Sequence, residues 1–286
     1  MSERTLLLGL IGDDIALSRT PPMHEAEGLA QGRPTIYRRL DTLRSGLKGR
    51  PLAEILHAAR DLGFDGLNIT HPHKRAVVEL LDEIDDDVRR LGAANTVVIR
   101  KDGTLVGHNT DVSGFRSGFL EGLPDAETGT VVQIGTGGAG TSVASALVGM
   151  GVQRLLVSDL DPVRAQELVA SLNRGAGRQA AEALPQDQLE PALQACDGVV
   201  NATPMGMPTH PGTSFDTGLL SPRQWVAEIV YMPLRTQLLE EAAQRGCRTL
   251  DGGRMAVFQA VDAFRHFTGL EPDVQRMREA FLLASS

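Results

Sequence analysis

The sequence predicts an α/β protein of two domains around a cleft, the second built on a doubly wound parallel sheet. Three observations carry this expectation. Short apolar runs alternate with longer stretches of helical periodicity, a polar connector interrupts the alternation, and the alternation resumes behind it with a glycine-rich turn. The chain of 286 residues is long enough for two cores of ordinary size. Hydrophobic residues make up 42% and charged residues 22%, the balance of a globular rather than a disordered chain.

The first strand is read at residues 6–11, Leu-Leu-Leu-Gly-Leu-Ile, ended by Gly12. A helical pattern at 22–30 opens on a proline, which suits a first helical turn. Strand 35–40 follows, then a helix at 51–62 with apolar residues recurring on one face, then strand 66–70. Residues 95–100 and 104–108 flank Lys101-Asp102-Gly103, where Asp-Gly supplies the positive φ of a tight hairpin turn. The acidic run Asp82-Glu83-Ile84-Asp85-Asp86-Asp87 reads as a solvated helix junction. Residues 122–129, Gly-Leu-Pro-Asp-Ala-Glu-Thr-Gly, are rich in turn formers and mark a domain boundary.

Beyond the connector, strands are expected at 130–134, 154–158, 198–201, 226–230 and 248–250. From Arg254 the pattern is wholly helical, through Phe267 and again over 273–283. Helices that follow the last strand of a sheet must pack somewhere, and these are expected to return to the first domain. The domains are therefore residues 1–110 with 255–286, and 111–254. No internal repeat or low-complexity tract is visible.

The net charge of −8 argues against nucleic acid as the main partner, because phosphate binding needs a clustered basic surface. No run of about 18 apolar residues offers a membrane span. The apolar run near the amino terminus is short and lacks a small-residue cleavage site, so no signal peptide is expected. Cys196 and Cys247 are too few for a disulfide framework and form no Cys-x-x-Cys pair. A reduced, cytoplasmic setting is the expectation.

Gly135-Thr-Gly137-Gly138-Ala139-Gly140 fits G-x-G-x-x-G directly after strand 130–134 and before a helix. In a Rossmann-type domain the first glycine permits the tight turn, the second lets backbone approach a pyrophosphate, and the third allows close helix packing. The helix amino terminus offers its N–H groups and positive dipole end to the phosphates. Asp159 stands about 20 residues further on, at the end of the next strand, where a carboxylate accepts hydrogen bonds from the adenosine ribose. It would repel a ribose 2′-phosphate, which favours NAD over NADP. Arg164 lies nearby and could receive such a phosphate, and Asp159 could instead cap the helix that contains Pro162.

Three polar clusters sit at predicted strand ends or turns in the first domain: Ser18-Arg19-Thr20, Asn68-Ile-Thr70-His71-Pro72-His73-Lys74, and His108-Asn109-Thr110-Asp111. Ligand sites in α/β domains gather outside the carboxyl ends of strands, so these clusters could converge. Each has a bland reading beside it. Lys74 alone would be a surface helix lysine, Asp111 a helix N-cap, Ser18 and Thr20 turn hydroxyls, and Asn68 a tie for its own turn. His71 and His73 invite a metal reading, but no third ligand stands at useful spacing, and no metal is expected.

Together these motifs resemble the shikimate and quinate dehydrogenase family over nearly the whole chain. The resemblance rests on Asn-x-Thr-x-Pro-x-Lys at residues 68–74 and Gly-x-Asn-Thr-Asp at 107–111. It is supported by Gly92-Ala-Ala-Asn95-Thr96, by Asn201-Ala-Thr-Pro-Met-Gly-Met207, by Tyr231-Met-Pro-Leu-Arg-Thr236 and by Gln259-Ala. It implies that Lys74 and Asp111 are catalytic, and that Ser18, Thr20, Thr70, Asn95 and Gln259 hydrogen-bond the substrate's carboxylate and hydroxyls. It also implies that Thr203, Met207, Gly252 and Met255 line the cofactor cleft.

Two departures within the family carry information. Its biosynthetic shikimate enzymes usually have Ser-x-Ser where this chain has Ser18-Arg19-Thr20, and an Asn-Arg-Thr type sequence where it has Ser158-Asp159-Leu160-Asp161. Both resemble the NAD-dependent branch that oxidises quinate and shikimate, as do Gly253-Arg-Met-Ala-Val and Phe267-Thr-Gly-Leu-Glu-Pro-Asp273. The expected reaction is oxidation at C3 of quinate or shikimate, with Lys74 as acid/base and Asp111 positioning it. Three alternatives stand beside it: an NADP-dependent biosynthetic shikimate dehydrogenase, a non-catalytic NAD-binding regulatory protein, and an enzyme for an aminated or otherwise altered cyclohexane carboxylate. Retention of both Lys74 and Asp111 speaks against the regulatory protein. A homodimer is possible, though no segment marks an interface.

Overall fold

The computed structural model describes residues 4–44 and 46–284, and within them the chain forms two separate six-stranded sheets. The first is assembled from β1 (Leu6–Gly12), α1 (Thr20–Ala30), β2 (Thr35–Asp41), α2 (Leu52–Asp61), β3 (Gly66–Ile69), β4 (Glu83–Ile84), α3 (Asp86–Leu91), β5 (Thr96–Ile99) and β6 (Leu105–His108). Its strand order is β2-β1-β3-β5-β6-β4. β1 pairs in parallel with β2 and β3, while β3–β5 and β5–β6 are antiparallel, so the sheet is mixed. The β5–β6 turn is the expected hairpin, with Gly103 at φ +88° and Arg100 N–H donating to the Thr104 carbonyl at 2.9 Å.

Strand alternation divides the apolar residues of β1 between two cores. Leu8 and Leu10 pack with Tyr37, Ala263 and Phe267 on one face, and Ile11 packs with Ile55, Leu56, Leu67 and Ile69 on the other. Gly66 is required where Phe267 lies on the sheet, since a Cβ there would stand 2.2 Å from the ring.

The acidic run at 82–87 is more structured than a solvated junction. Glu83 and Ile84 form β4 and pair with Val106 and Gly107 of β6. Asp82 accepts a bond from Leu105 N–H, and Asp85 caps α3 by accepting from Val88 N–H at 2.8 Å. A two-residue strand carries no periodicity, which is why charge dominated the sequence reading of this segment.

Helix α4 (Thr110–Gly122) leads to the second sheet. That sheet is built from β7 (Thr130–Ile134), α5 (Gly138–Gly149), β8 (Arg154–Ser158), α6 (Pro162–Ala176), β9 (Ala181–Ala183), α7 (Leu189–Ala195), β10 (Gly198–Asn201), β11 (Trp225–Glu228), α8 (Gln237–Gln244) and β12 (Arg248–Leu250). All neighbouring strands are parallel, in the order β12-β11-β10-β7-β8-β9. Counted from β7, this is the doubly wound order in which the first and fourth strands lie side by side. Helices cover both faces, so the inner strands present apolar residues to both. Val131, Leu155, Val200 and Ala227 pack with Val143 and Leu147, and Val132, Leu156, Val199 and Val226 pack with Leu193 and Leu238.

Helices α9 (Gly252–Thr268) and α10 (Val274–Leu283) complete the described chain. The described residues up to Thr110 cluster with those from Val257 onward, and Asp111 to Ala256 form the other unit. In the first unit α10 packs on α1, where buried Glu27 pairs with Arg276 at 2.7 Å. No helix among the described residues is long and apolar enough to cross a membrane.

Candidate active site

The glycine turn after β7 has the shape a dinucleotide needs. Gly135 adopts φ +100°, and a Cβ on it would lie 2.6 Å from the Ala202 carbonyl oxygen, against the chain leaving β10. A Cβ on Gly137, the N-cap of α5, would meet no atom within 4 Å, so the backbone is open to close approach. A Cβ on Gly140 would come within 2.5 Å of the Gly135 carbonyl oxygen. Gly138 and Ala139 form the first turn of α5, whose positive dipole end therefore opens on this space. Because β7 and β10 are adjacent, the turn sits where the strand order reverses.

Gln133, which the sequence reading passed over, clamps the turn from beneath. Its buried amide donates to the carbonyl oxygens of Gly135 at 2.9 Å and Gly140 at 2.8 Å. Gly140→Ala should cost about 1–3 kcal/mol through overpacking, read as a lower urea midpoint. An unchanged midpoint would mean that the turn yields without cost.

Asp159, at the end of β8, reaches across to this turn. Its Oδ2 accepts from Thr136 N–H at 2.8 Å and from the Thr136 hydroxyl at 2.6 Å, and its Oδ1 accepts from Asp161 N–H at 3.0 Å. Burial alone would raise its pKa. The Thr136 hydroxyl, the Asp161 and Thr136 N–H groups and the charge of Arg164 outweigh that and hold it below the usual carboxylate value, so it is an anion. Asp161, not Asp159, caps α6, by accepting from Val163 N–H at 3.0 Å. Arg164 is exposed on the first turn of that helix.

On the far side of the strand-order reversal, Asn201 ends β10 and organises the segment that follows. Its Oδ1 accepts from Thr203 N–H at 3.2 Å and from the Thr203 hydroxyl at 2.7 Å, and its amide donates to the Met205 carbonyl oxygen at 3.0 Å. Met207 is half-buried and bridges His210. Gly252 opens α9 where a Cβ would stand 2.4 Å from the Ile229 carbonyl oxygen, and Met255 is buried in the core of the second sheet.

Beneath Asn201 lies a carboxylate that sequence reasoning did not single out. Glu228 is 2% exposed, and both its oxygens accept from the Asn201 amide at 2.9 Å. Burial pushes its pKa up to about 7, against the opposing effect of its hydrogen bonds to Asn201, Val230, Thr236 and Ile229. Between the ordinary glutamate value of 4.5 and about 7, the folded chain holds a proton that the unfolded chain has released. Stability therefore falls as pH rises through that window. Glu228→Gln should flatten this part of the Tm–pH curve, and an unchanged slope would assign it to other groups.

Ser18, Thr20, Thr70, Lys74 and Asn95 lie off one end of the first sheet. Ile11 pairs with Ile69, and Thr96 pairs with both Asn68 and His108, so the carboxyl ends of β1, β3 and β6 and the start of β5 share an edge. Ser18 follows β1, its hydroxyl accepting from the N–H of Thr20, the first residue of α1. Thr70 N–H donates to the Ile11 carbonyl, His73 N–H donates to the Thr70 carbonyl, and Ala94 N–H donates to the Lys74 carbonyl at 2.8 Å. Lys74 is half-buried.

Asn95 is buried, and its amide donates to the Thr110 hydroxyl at 3.0 Å while its Oδ1 accepts from Thr110 N–H at 2.8 Å. Asn68 is structural: it accepts from the Tyr37 hydroxyl at 2.7 Å and donates to Thr96 Oγ1 at 3.1 Å. Gln259 is half-buried on α9. His73 Nε2 lies 3.0 Å from the Thr42 hydroxyl, which bonds Asp13 in turn. Asp111 is buried in the first turn of α4 and is the first residue of the second unit.

Residues 10–97 match the shikimate dehydrogenase substrate binding domain, and residues 253–280 match the shikimate 5′-dehydrogenase C-terminal domain. A quinate/shikimate dehydrogenase (NAD(+)) of Corynebacterium efficiens is 61% identical over 282 residues, covering 99% of each chain. The chain belongs to the shikimate and quinate dehydrogenase family. Within that family, a shikimate dehydrogenase (NADP(+)) of an Arthrobacter species is 51% identical over 99% of this chain and 97% of its own. The structure of quinate dehydrogenase from Corynebacterium glutamicum in complex with NAD matches at a TM-score of 0.95 and 59% identity, covering 98% of this chain and 99% of that one. The substrate-binding match falls on the unit that carries Ser18, Thr20, Thr70, Lys74 and Asn95.

Proposed function

We propose that this chain oxidises quinate and shikimate to the 3-dehydro acids, with NAD accepting the hydride from C3. The observation that carries the reading is the Asp159 carboxylate at the end of β8. It stands beside the glycine turn as an anion, where a ribose hydroxyl is welcome and a 2′-phosphate is repelled. The relatives 59–61% identical to this chain are named for NAD, and those 50–51% identical are named for NADP.

NAD, when bound, supplies the hydride acceptor, and Gly135, Gly137, Gly138, Ala139 and Gly140 would hold its pyrophosphate. Asp159 takes the adenosine ribose, with Arg164 alongside, and Thr203, Met207, Gly252 and Met255 complete the cofactor side. Ser18, Thr20, Thr70, Asn95 and Gln259 hold the substrate's carboxylate and hydroxyls. Lys74 accepts the C3 hydroxyl proton while the hydride leaves carbon, and Asp111 orients it. Within the first unit, the Ala94 bond to Lys74 and the adjoining Asn95 bonds to Thr110 anchor the motif that carries Lys74 and the residue just before Asp111. The reading extends to a cytoplasmic enzyme that can act as a homodimer.

Deuterium at C3 tests the chemistry. The reading expects slower turnover with the labelled quinate and deuterium recovered in the reduced nicotinamide. Label retained on the carbon skeleton would place the oxidation elsewhere on the ring.

A further inference from the structure

A charged residue inside an otherwise apolar central strand needs an account, and Glu228 is one. It lies in Trp-Val-Ala-Glu on β11, next to β10 in the sheet that carries the glycine turn. Every group that bonds its carboxylate can donate. The Asn201 amide reaches both oxygens, Val230 N–H reaches Oε1 at 3.0 Å, and the Thr236 hydroxyl reaches Oε2 at 3.3 Å. Such a ring of donors suits the ionised carboxylate.

The carboxylate also lies beneath the segment that follows β10. Gly206 adopts φ +102°, and a Cβ on it would be 3.2 Å from Thr236 Cγ2 and 3.6 Å from Glu228 Oε2. One residue earlier, the Met205 carbonyl is held by the same Asn201 amide that bonds Glu228. Asn201 has a single amide group, so the direction in which it points determines where Thr203 and Met205 sit. Both atoms that fix that direction from below belong to Glu228.

We propose that Glu228 is a positioning residue for the cofactor, acting through Asn201 to hold the Thr203–Met207 segment in its binding conformation. This rests on the reading of that segment as a wall of the NAD site. The groups that face the carboxylate are neutral: Asn201 from β10, the Ile229 and Val230 backbone beyond β11, Thr236 ahead of α8, and Gly206 above. The charge on Glu228 is therefore set by burial against these donors, and it changes near pH 7. When Glu228 takes up a proton, one oxygen ceases to accept and the hold on Asn201 loosens. NAD affinity should weaken as pH falls through that region, although the group that titrates does not itself touch the nucleotide.

The test uses the full chain and NAD⁺ itself, by titration calorimetry across the pH range around 7. Glu228→Gln keeps the shape of the side chain but sets an amide against the Asn201 amide. It should raise the Kd for NAD⁺ about tenfold on the alkaline side, the scale of one lost charge-assisted hydrogen bond, and remove the pH dependence. Hydrogen exchange of residues 203–210 without nucleotide should speed up in the same variant, while exchange of α5 stays as it was. Thr236→Val, which removes one donor and no charge, should shift the midpoint of the wild-type pH profile upward and serves if Glu228→Gln does not fold. Equal Kd and equal exchange in wild type and variant would overturn the proposal. Failure of the wild-type chain to bind NAD⁺ at all would instead overturn the reading it rests on.

Discussion

Lys74→Met should lower kcat by about 10²–10⁴-fold while changing KM for the polyol acid only severalfold, the range for loss of a positioned acid/base. The prediction is specific because of how Lys74 is mounted. The segment is anchored through its backbone: Thr70 N–H to the Ile11 carbonyl, His73 N–H to the Thr70 carbonyl, and Ala94 N–H to the Lys74 carbonyl. None of those bonds uses the side-chain nitrogen, so methionine keeps the turn and the stem of the side chain while removing the proton carrier. Steady-state kinetics with a circular dichroism control checks this. Turnover within a few fold of wild type would remove Lys74 from the chemistry. Loss confined to KM would make it a binding group, and Asp111 would then become the candidate proton carrier.

The second large effect is on nucleotide choice. Asp159→Ser should lower the ratio of kcat/KM for NAD⁺ over NADP⁺ by about 100-fold, combining a lost bond to the ribose with relief of charge repulsion. Two properties of Asp159 contribute. It is a carboxylate held in its charged form, and it bonds Thr136 inside the glycine turn, so its loss also loosens the turn. Arg164 is close enough to lower the Asp159 pKa, which makes it the cation available to a 2′-phosphate once the carboxylate is gone. Adding Arg164→Ala to Asp159→Ser should therefore cancel most of the gain on NADP⁺ and leave NAD⁺ largely unaffected. A ratio that does not move in Asp159→Ser would show that discrimination lies outside this strand end.

The α/β fold was legible because the elements that build it are long and strongly patterned. Strand segments such as residues 155–157 and 199–200 are apolar on both faces, which parallel packing between helices requires. What escaped was short or set by distant neighbours. β9 is Ala-Glu-Ala and β4 is Glu-Ile, neither long enough to show a period, and β4 was hidden inside an acidic run. That Asp161 rather than Asp159 caps α6 needed coordinates, because both stand just ahead of Pro162.

The glycines of the turn were readable by spacing, yet the clamp on them was not. Gln133 and Glu228 do leave a trace, a polar residue in the middle of Val-Val-Gln-Ile and of Val-Ala-Glu-Ile-Val. A buried polar group must find partners. Their partners lie in other segments, so the trace shows that something is there without showing what. Asn68 is the converse case. It belongs to a motif that carries a catalytic expectation, yet its amide is spent on Tyr37, Asn95 and Thr96 inside the sheet.

The most direct test of the whole account is a comparison of initial rates for the purified chain with quinate and with shikimate, each with NAD⁺ and with NADP⁺. The account predicts reduction of NAD⁺ by both acids and little or no reduction of NADP⁺ by either. Activity confined to NADP⁺ and shikimate would contradict it, returning the chain to the biosynthetic branch and taking nucleotide selection away from Asp159.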